Sequence, residues 1–471
     1  MASVNMKENQ KQVNESTQEV QYVQGRCWFQ VLAIFAVSIA AFNSATLFYW
    51  SSPSIPLIVQ DEVFNTTQDE ASYLAIIPTI GMVIGTPFYS GLIDILGRKF
   101  LILTMAFLHL TGWLMIAFSR SMLPLLLSRL YGLADACLFA IIPVYIGEIS
   151  TPNVRSSYGN LMMILIYLGQ FAINAVGYYA GDIKLTSFIF MPFPVVFFAL
   201  FIFMPETPYY YIAKGKEEEA LSSLKRLRRQ EDDALQMEFA QMKSDVKRQL
   251  MERGKWKDLL SKTNRRAMTV CTTVRVIQQF SGVSAFALYT QSIFKNAVGG
   301  LNRGESAMIY TGTLAMTNLF GSVVLDHLGR RKALVLSSIG CTIALFIEAI
   351  YLYLSDVANI TTPSLSWIPL AGLCVYVIFF SCGLSIVPTT IMGELFSASI
   401  KSKASCVMNI IFAILIGSST KLFDVFTSTF GSFVAFGCFG IFTFVGIFVS
   451  WYVVPETKGK TLEEIQQDLK K

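Results

Sequence analysis

Two adjacent amides, Gln278 and Gln279, precede the run Phe280-Ser281-Gly282-Val283-Ser284-Ala285, and Tyr289 closes the stretch, all of it inside a long apolar segment. A primary amide offers two donor hydrogens and an acceptor oxygen, so a pair of them suits a solute rich in hydroxyls. In hydrocarbon a polar group without a partner costs several kcal/mol, and polar residues at such depth face a bundle interior or a watery cavity. On a continuous helix Gln278 shares a face with Ser281, Gly282, Ala285 and Tyr289. Ser281-Gly282 is the weak point at which that helix is expected to unwind and expose backbone groups. We read the stretch as one wall of a solute site.

A second set of residues is ionic and occurs twice. Asp94 and Arg98 lie in Asp94-Ile95-Leu96-Gly97-Arg98, and Asp326 and Arg330 repeat the same Asp-x-x-Gly-Arg spacing. Glu148 and Arg155 stand seven residues apart, as do Glu394 and Lys401; Pro205-Glu206-Thr207 recurs as Pro455-Glu456-Thr457. Marks that recur in one order reveal an internal repeat. Two parallel halves related by an axis along the membrane normal are a transporter architecture.

The elements that must carry these residues follow from composition. Of 471 residues, 53% are hydrophobic and 15% charged, far from the quarter charged that is usual in soluble domains. Apolar stretches of about 20 residues can each span a bilayer. Twelve occur, near 28–50, 73–93, 100–119, 123–146, 158–179, 187–204, 267–290, 306–325, 333–354, 366–388, 404–426 and 432–454. The fold class is therefore an all-α integral membrane protein of twelve transmembrane helices in two pseudo-symmetric six-helix bundles. Its parts are an N-terminal tail 1–27, a first bundle 28–204, a helical linker 205–266, a second bundle 267–454 and a tail 455–471 with a short helix from about Thr461. A proline in Trp50-Ser51-Ser52-Pro53 is expected to stop the first helix.

Charge placement orients the chain. Segment 51–72 holds four acids and no Lys or Arg, whereas 205–266 holds fifteen Lys or Arg among eleven acids. The bias puts both termini and the linker in the cytoplasm. Asn65 and Asn359 head glycosylation sequons in loops that this topology places outside. Residues before 27 are polar and lack the apolar core of a cleaved signal peptide. The eight cysteines fall in or beside apolar segments and read as small hydrophobes without a disulfide framework. Asp135 is an acid in the middle of the fourth apolar segment and a functional candidate by default. His109 reads as a polar residue satisfied within the bundle, and Glu348, Lys421 and Asp424 as interfacial or structural. No phosphate-binding loop, nucleophile motif or metal cluster is present, which argues against an enzyme and implies no cofactor.

Seven motifs resemble those of the sugar porters of the major facilitator superfamily, and within it the insect glucose and trehalose facilitators. They are Gly91–Lys99, Asp326–Arg331, Pro143–Glu148 with Arg155, Pro205–Pro208, Gln278–Gly282, Gly393–Phe396 and Pro455–Thr461, and they span nearly the whole chain. The resemblance implies that Asp94, Arg98, Glu148 and Arg155, with Asp326, Arg330, Glu394 and Lys401, form ion-pair clusters between helix ends of the two halves and part as the carrier turns inward. It implies sugar contacts for Gln278 and Gln279, and for Gln170, which matches a glutamine used by some members. Ser284 stands where the family usually has Asn, Thr389 where it has a stacking Trp, Met163 where many members have Gln and Phe412 at a polar position. The polar ring is thinned, and Phe286, Phe412 or Tyr289 would have to supply the apolar plate.

The resulting expectation is a sugar uniporter of the plasma membrane that works by alternating access as a monomer, with a small-molecule sugar and the lipid bilayer as its partners and no nucleic acid. Proton-coupled symport through Asp135 is the alternative, although the first helix lacks the acid used by coupled members. A sugar sensor of the same fold is a third reading, against which the short tails speak.

Overall fold

The computed structural model describes residues 27–229, 233–251, 254–294, 300–358, 360, 365–458 and 464–465. Most of the two tails, the sequon residue Asn359 and the expected cap Thr461 lie outside the described residues. The first six spans are Trp28–Gln60, Gln68–Leu96, Arg98–Ala117, Met122–Ile149, Leu161–Ala180 and Ile183–Phe201. Span 7 is Lys262–Gln279 continued by Val283–Leu288 and Thr290–Ile293. Spans 8 to 12 are Arg303–Leu328, Arg330–Asp356, Ile368–Leu395, Ala398–Phe430 and Ser432–Val453. Among the described residues ten helices are long and apolar enough to cross a membrane. Spans 7 and 8 fall outside those ten: span 7 is broken twice and its first segment carries Lys262, Arg265, Arg266 and Arg275, and span 8 is diluted by Gly, Ser, Thr and Asn residues.

The packing repeats as the motifs do. In the first half span 1 packs on span 5, span 2 on span 4 and span 3 on span 6; in the second half span 7 packs on 11, 8 on 10 and 9 on 12. The halves meet through spans 2 with 11 and 5 with 8, which are the same pairing read from either side. Small residues permit the close approaches: a side chain on Gly81 of span 2 would stand 2.8 Å from the backbone nitrogen of Leu133 in span 4.

Pro53 does not end span 1. The chain turns at Trp50 and a second segment, Ser51–Gln60, begins at once, with Pro53 in its first turn, where no backbone N–H is required of it. The linker is also more than a solvated connector. Helices Pro208–Ala213, Glu217–Arg228 and Asp233–Met251 bury Ala220, Leu224, Leu235, Met242 and Val246 among themselves. Arg228, 2% exposed, pairs with Glu238 at 2.7 Å and donates to the Ile149 carbonyl at 2.9 Å, which pins these helices to the end of span 4.

Candidate functional site

Span 7 opens where Ser281-Gly282 weakens it. The first segment stops at Gln279, Gly282 takes φ +95°, and the helix restarts at Val283. Only glycine adopts that backbone freely, and a Cβ there would also run into the Phe286 ring and stand 2.9 Å from Phe439. Ser281 Oγ donates to the Gln278 carbonyl at 2.7 Å and lies 3.0 Å from the hydroxyl of Tyr376 in span 10, which donates to the Ser281 carbonyl at 3.1 Å. The backbone exposed by the break is thus satisfied by span 10.

The two glutamines are in different states. Gln278 is engaged at both ends: its Nε2 donates to the Leu384 carbonyl at 2.8 Å, where span 10 is itself interrupted, and its Oε1 accepts from Arg275 Nη1 at 2.8 Å. Gln279 Oε1 accepts from Ser284 Oγ at 2.6 Å, and its amide nitrogen has no partner among the described residues. Ser284 therefore orients a glutamine. Thr389 turns back onto its own helix and donates to the Ile386 carbonyl at 2.7 Å. Gln170 in span 5 and Asn43 in span 1 are buried with neither end of either amide partnered, and the Tyr289 hydroxyl is buried near Ser72 of span 2.

None of the three candidate rings, Phe286, Tyr289 or Phe412, is free to replace the missing Trp. Phe286 is fully buried and stacked on Phe436 at 4.9 Å; Tyr289 stacks on Phe423 at 5.7 Å; Phe412 lies beneath the Arg275 guanidinium at 4.5 Å. In span 4, Asp135 accepts from Ser44 Oγ of span 1, and its second oxygen is unpartnered. His109 is not satisfied: neither ring nitrogen is hydrogen-bonded, because Asp135 Oδ1 stands 3.7 Å away, beyond hydrogen-bond reach.

The charged residues gather at the end of the molecule that carries the linker, and each described ion pair stays within one half. Arg98 reaches Glu148 at 3.0 Å and Asp94 at 3.8 Å; Arg330 reaches Glu394 at 2.6 Å. Lys401 donates to the Gly393 carbonyl at 3.2 Å, while Arg155 is exposed and makes no ion pair among the described residues. The Asp326 side chain lies outside the described residues. Asn65, the other sequon residue, sits exposed in the loop between spans 1 and 2 with φ 39°.

Toward the linker end Cys406 of span 11 hydrogen-bonds with Ser90 of span 2, and the other described bonds between the halves lie at the opposite end and near the middle. Gln291 at the end of span 7 donates through Nε2 to the Asn174 carbonyl at 3.2 Å, and its backbone N–H to Ser52 Oγ at 3.4 Å. Lys421 of span 11 donates to Ser72 Oγ of span 2 at 3.0 Å while paired with Asp424 at 2.8 Å, so it joins the halves. Tyr167 and Ser385 meet at 3.1 Å.

Sequence reasoning missed several of these. Arg275 was visible as a charge inside an apolar segment one turn before Gln278. The repeated Pro-Glu-Thr hid a structural carboxylate. Glu206 accepts the backbone N–H of Lys99 at 2.8 Å, and Glu456 those of Arg330 and Arg331 at 3.0 and 3.2 Å, each capping the first turn of the span that follows a positive-φ glycine, Gly97 or Gly329. Ser52 and Gln291 gave no signal, being ordinary polar residues in short helical segments, and Asn174 was passed over although it is a buried amide inside span 5.

Twelve spans in two repeated halves, with spans 7 and 10 broken and buried amides left unpartnered in spans 1 and 5, define a carrier fold of the major facilitator type. The sugar (and other) transporter family model matches residues 10–469, and the chain belongs to that family. It is 31% identical over 457 residues to the facilitated trehalose transporter Tret1 of Drosophila willistoni, covering 94% of this chain and 51% of that one. It is 30% identical over 449 residues to Tret1 of Polypedilum vanderplanki, covering 93% and 88%. The chain thus spans about half the length of the first of these relatives. Among solved structures it resembles an inward-open conformation of the xylose transporter XylE from E. coli (TM-score 0.74, 17% identity, 93% of this chain and 98% of that chain). It also resembles the proton:xylose symporter XylE bound to 6-bromo-6-deoxy-D-glucose (TM-score 0.68, 18% identity, 93% and 99%). At these identities the likeness establishes the fold. The chain is a multi-pass membrane protein of a transporter family, not an enzyme.

Proposed function

We propose that the chain is a facilitative transporter, a uniporter that moves a hexose or a trehalose-like disaccharide across the plasma membrane by alternating access. The observation that carries this is the break in span 7, where Gln278 is held at both ends and the Gln279 amide nitrogen is left without a partner among the described residues; the unpartnered buried amides of Asn43 and Gln170 in the first half support it. An unsatisfied buried amide is costly, and hydroxyls of a sugar supply both donors and acceptors. Gln170, Gln278, Gln279, Ser284, Tyr289 and Thr389 line or shape that site. The names of the relatives and the absence of an acid in span 1 favour uniport.

The halves, 28–204 and 267–454, rock about this site as a monomer, with both termini and the linker cytoplasmic and Asn65 and Asn359 as outside glycosylation sites. Asp94, Arg98, Glu148, Arg155, Asp326, Arg330, Glu394 and Lys401 act as conformational gating charges. The Arg98–Glu148 and Arg330–Glu394 side chains are only 12–25% exposed, so the cost of taking the charges out of water offsets part of their attraction and lets the pairs break and re-form within a cycle as water enters. On that topology the ties through Gln291 and Lys421 lie at the outer end and support a reading of this conformation as open toward the cytoplasm.

Reconstituted in proteoliposomes, the protein is expected to show saturable uptake of labelled glucose or trehalose, insensitive to a protonophore and weakened by Gln279→Ala. Failure to take up every hexose, pentose, polyol and disaccharide tried overturns the reading. One observation favours a second reading: the unpartnered Asp135 oxygen beside His109 could carry a proton. Uptake driven by an imposed proton gradient, and lost in Asp135→Asn, would replace uniport with symport.

A further inference from the structure

Arg275 lies in the middle of span 7, 6% exposed, three residues before Gln278. Its Nη1 is held by Gln278 Oε1 at 2.8 Å, and its guanidinium carbon stands 4.5 Å over the Phe412 ring of span 11. Phe412 in turn meets Phe139 of span 4 at 5.7 Å, so the cation sits where one half faces the other. No carboxylate among the described residues is within ion-pair distance of it. The other deeply buried arginines are fully occupied. Arg129 donates to the carbonyls of Leu74, Leu47 and Phe48 at 2.8, 2.7 and 3.2 Å, and Arg228 is paired with Glu238. Arg275 instead leaves Nε and Nη2 without a partner among the described residues, and neither is sealed off as the Gln170 amide is.

A buried charge is retained at a cost, and removing its counter-ion makes the cost larger. The Nε–Nη2 edge of a guanidinium is the fork that binds a carboxylate through two parallel hydrogen bonds. Here Gln278 and Phe412 hold the other edge and the face, so the fork is set before any ligand arrives. We propose that Arg275 is a specificity-determining residue that receives the carboxylate of a monoanionic sugar acid of the hexuronate class. One guanidinium with no second cation acting on it among the described residues suits one negative charge and not a dianionic phosphate. The inference rests on the reading of the Gln278–Gln279 wall as the solute site, and it gives Gln278 the task of holding Arg275, leaving Gln279 to meet the ring hydroxyls.

The probe is D-glucuronate, which differs from D-glucose by a carboxylate in place of the terminal hydroxymethyl. With the full chain in proteoliposomes, glucuronate is expected to compete with labelled glucose at concentrations at least about tenfold below unlabelled glucose, as loss or gain of a charge-assisted hydrogen bond pair requires. Arg275→Gln is expected to bring the two sugars to parity and Arg275→Lys to keep part of the preference. The proposal is overturned if glucuronate competes no better than glucose in the wild type, which decides the matter even where a variant fails to fold, or if Arg275→Gln keeps the preference. Thermal unfolding of the purified protein separates the two readings. If no neutral sugar is taken up yet glucuronate stabilises the wild type and not the variant, the anion site stands and neutral-sugar uniport falls. If neither sugar is taken up or stabilises the protein, both fall.

Discussion

What a buried amide can do depends on what already holds it. Gln278 and Gln279 are neighbours in sequence, yet one is bonded at both ends and the other keeps its nitrogen free. Their hydrogen-bond partners, Arg275, Leu384 and Ser284, decide the difference. Gly282 decides where the helix opens. Gly282→Ala is expected to destabilise the protein by about 1–3 kcal/mol through backbone strain and by crowding Phe286 and Phe439, read as a lowered apparent Tm in detergent. The break and the amide pair were legible in the sequence because polar residues and glycine contrast with the apolar residues around them. The partners were not. Arg275 announces a charge but not the absence of a counter-ion, and Ser284 looks like a deficient Asn until its bond to Gln279 is seen. The aromatic plate was illegible for a related reason: Phe286 and Tyr289 have the chemistry to stack on a sugar, but their rings are taken by Phe436 and Phe423.

The repeated corners show how two separate motifs make one device. At Gly97 and Gly329 the chain turns with φ +87° and +81° between a pair of spans, and a glutamate from a distant Pro-Glu-Thr closes the next helix's first turn. The repeat was plain in sequence, but its parts stand more than a hundred residues apart, so their contact could not be read from spacing. The two carboxylates sit differently. Burial pushes Glu206 above the ordinary value of 4.5, with the N–H groups of Thr207 and Lys99 only partly offsetting it. Burial acts on Glu456 too, but the N–H groups of Lys458, Arg330, Arg331 and Thr457 outweigh it and hold that carboxyl below 4.5. A depressed carboxyl lends stability that is present above its ordinary value and lost as pH falls through the folded one; a raised carboxyl does the reverse. Glu456→Gln is therefore expected to lose stability against wild type at neutral pH, with the gap narrowing below about 4.5. For Glu206→Gln the comparison shifts in the variant's favour as pH rises from about 4.5 toward neutral. Thermal unfolding across that range checks both; parallel profiles for the two variants would count against the capping geometry.

In the whole molecule the asymmetry is between ends. Gln291, Lys421 and their partners tie the halves at one end, whereas the described ion pairs at the linker end stay within a half. Lys421→Ala removes a tie without touching the amides, and is expected to shift the population toward the conformation open at the other end. A cysteine placed at Thr389 in a background lacking the native cysteines reports this. Its labelling by an impermeant thiol reagent from the linker side should fall by roughly threefold or more in the Lys421→Ala protein, as a loss of about 0.7 kcal/mol of bias requires. Unchanged labelling would show that Lys421 does not hold the closed end.

The unpartnered amides of Asn43 and Gln170 also set a tempo. They belong to one half, and the Gln279 nitrogen to the other, so in the proposed carrier a solute that bonds to both halves draws together surfaces that the empty protein has no reason to join. The solute then lowers the barrier to its own crossing, much as a substrate organises an enzyme around it. An empty carrier must return with those amides bare. If the chain is the carrier proposed above, exchange of one sugar for another across the membrane is expected to outpace net flow.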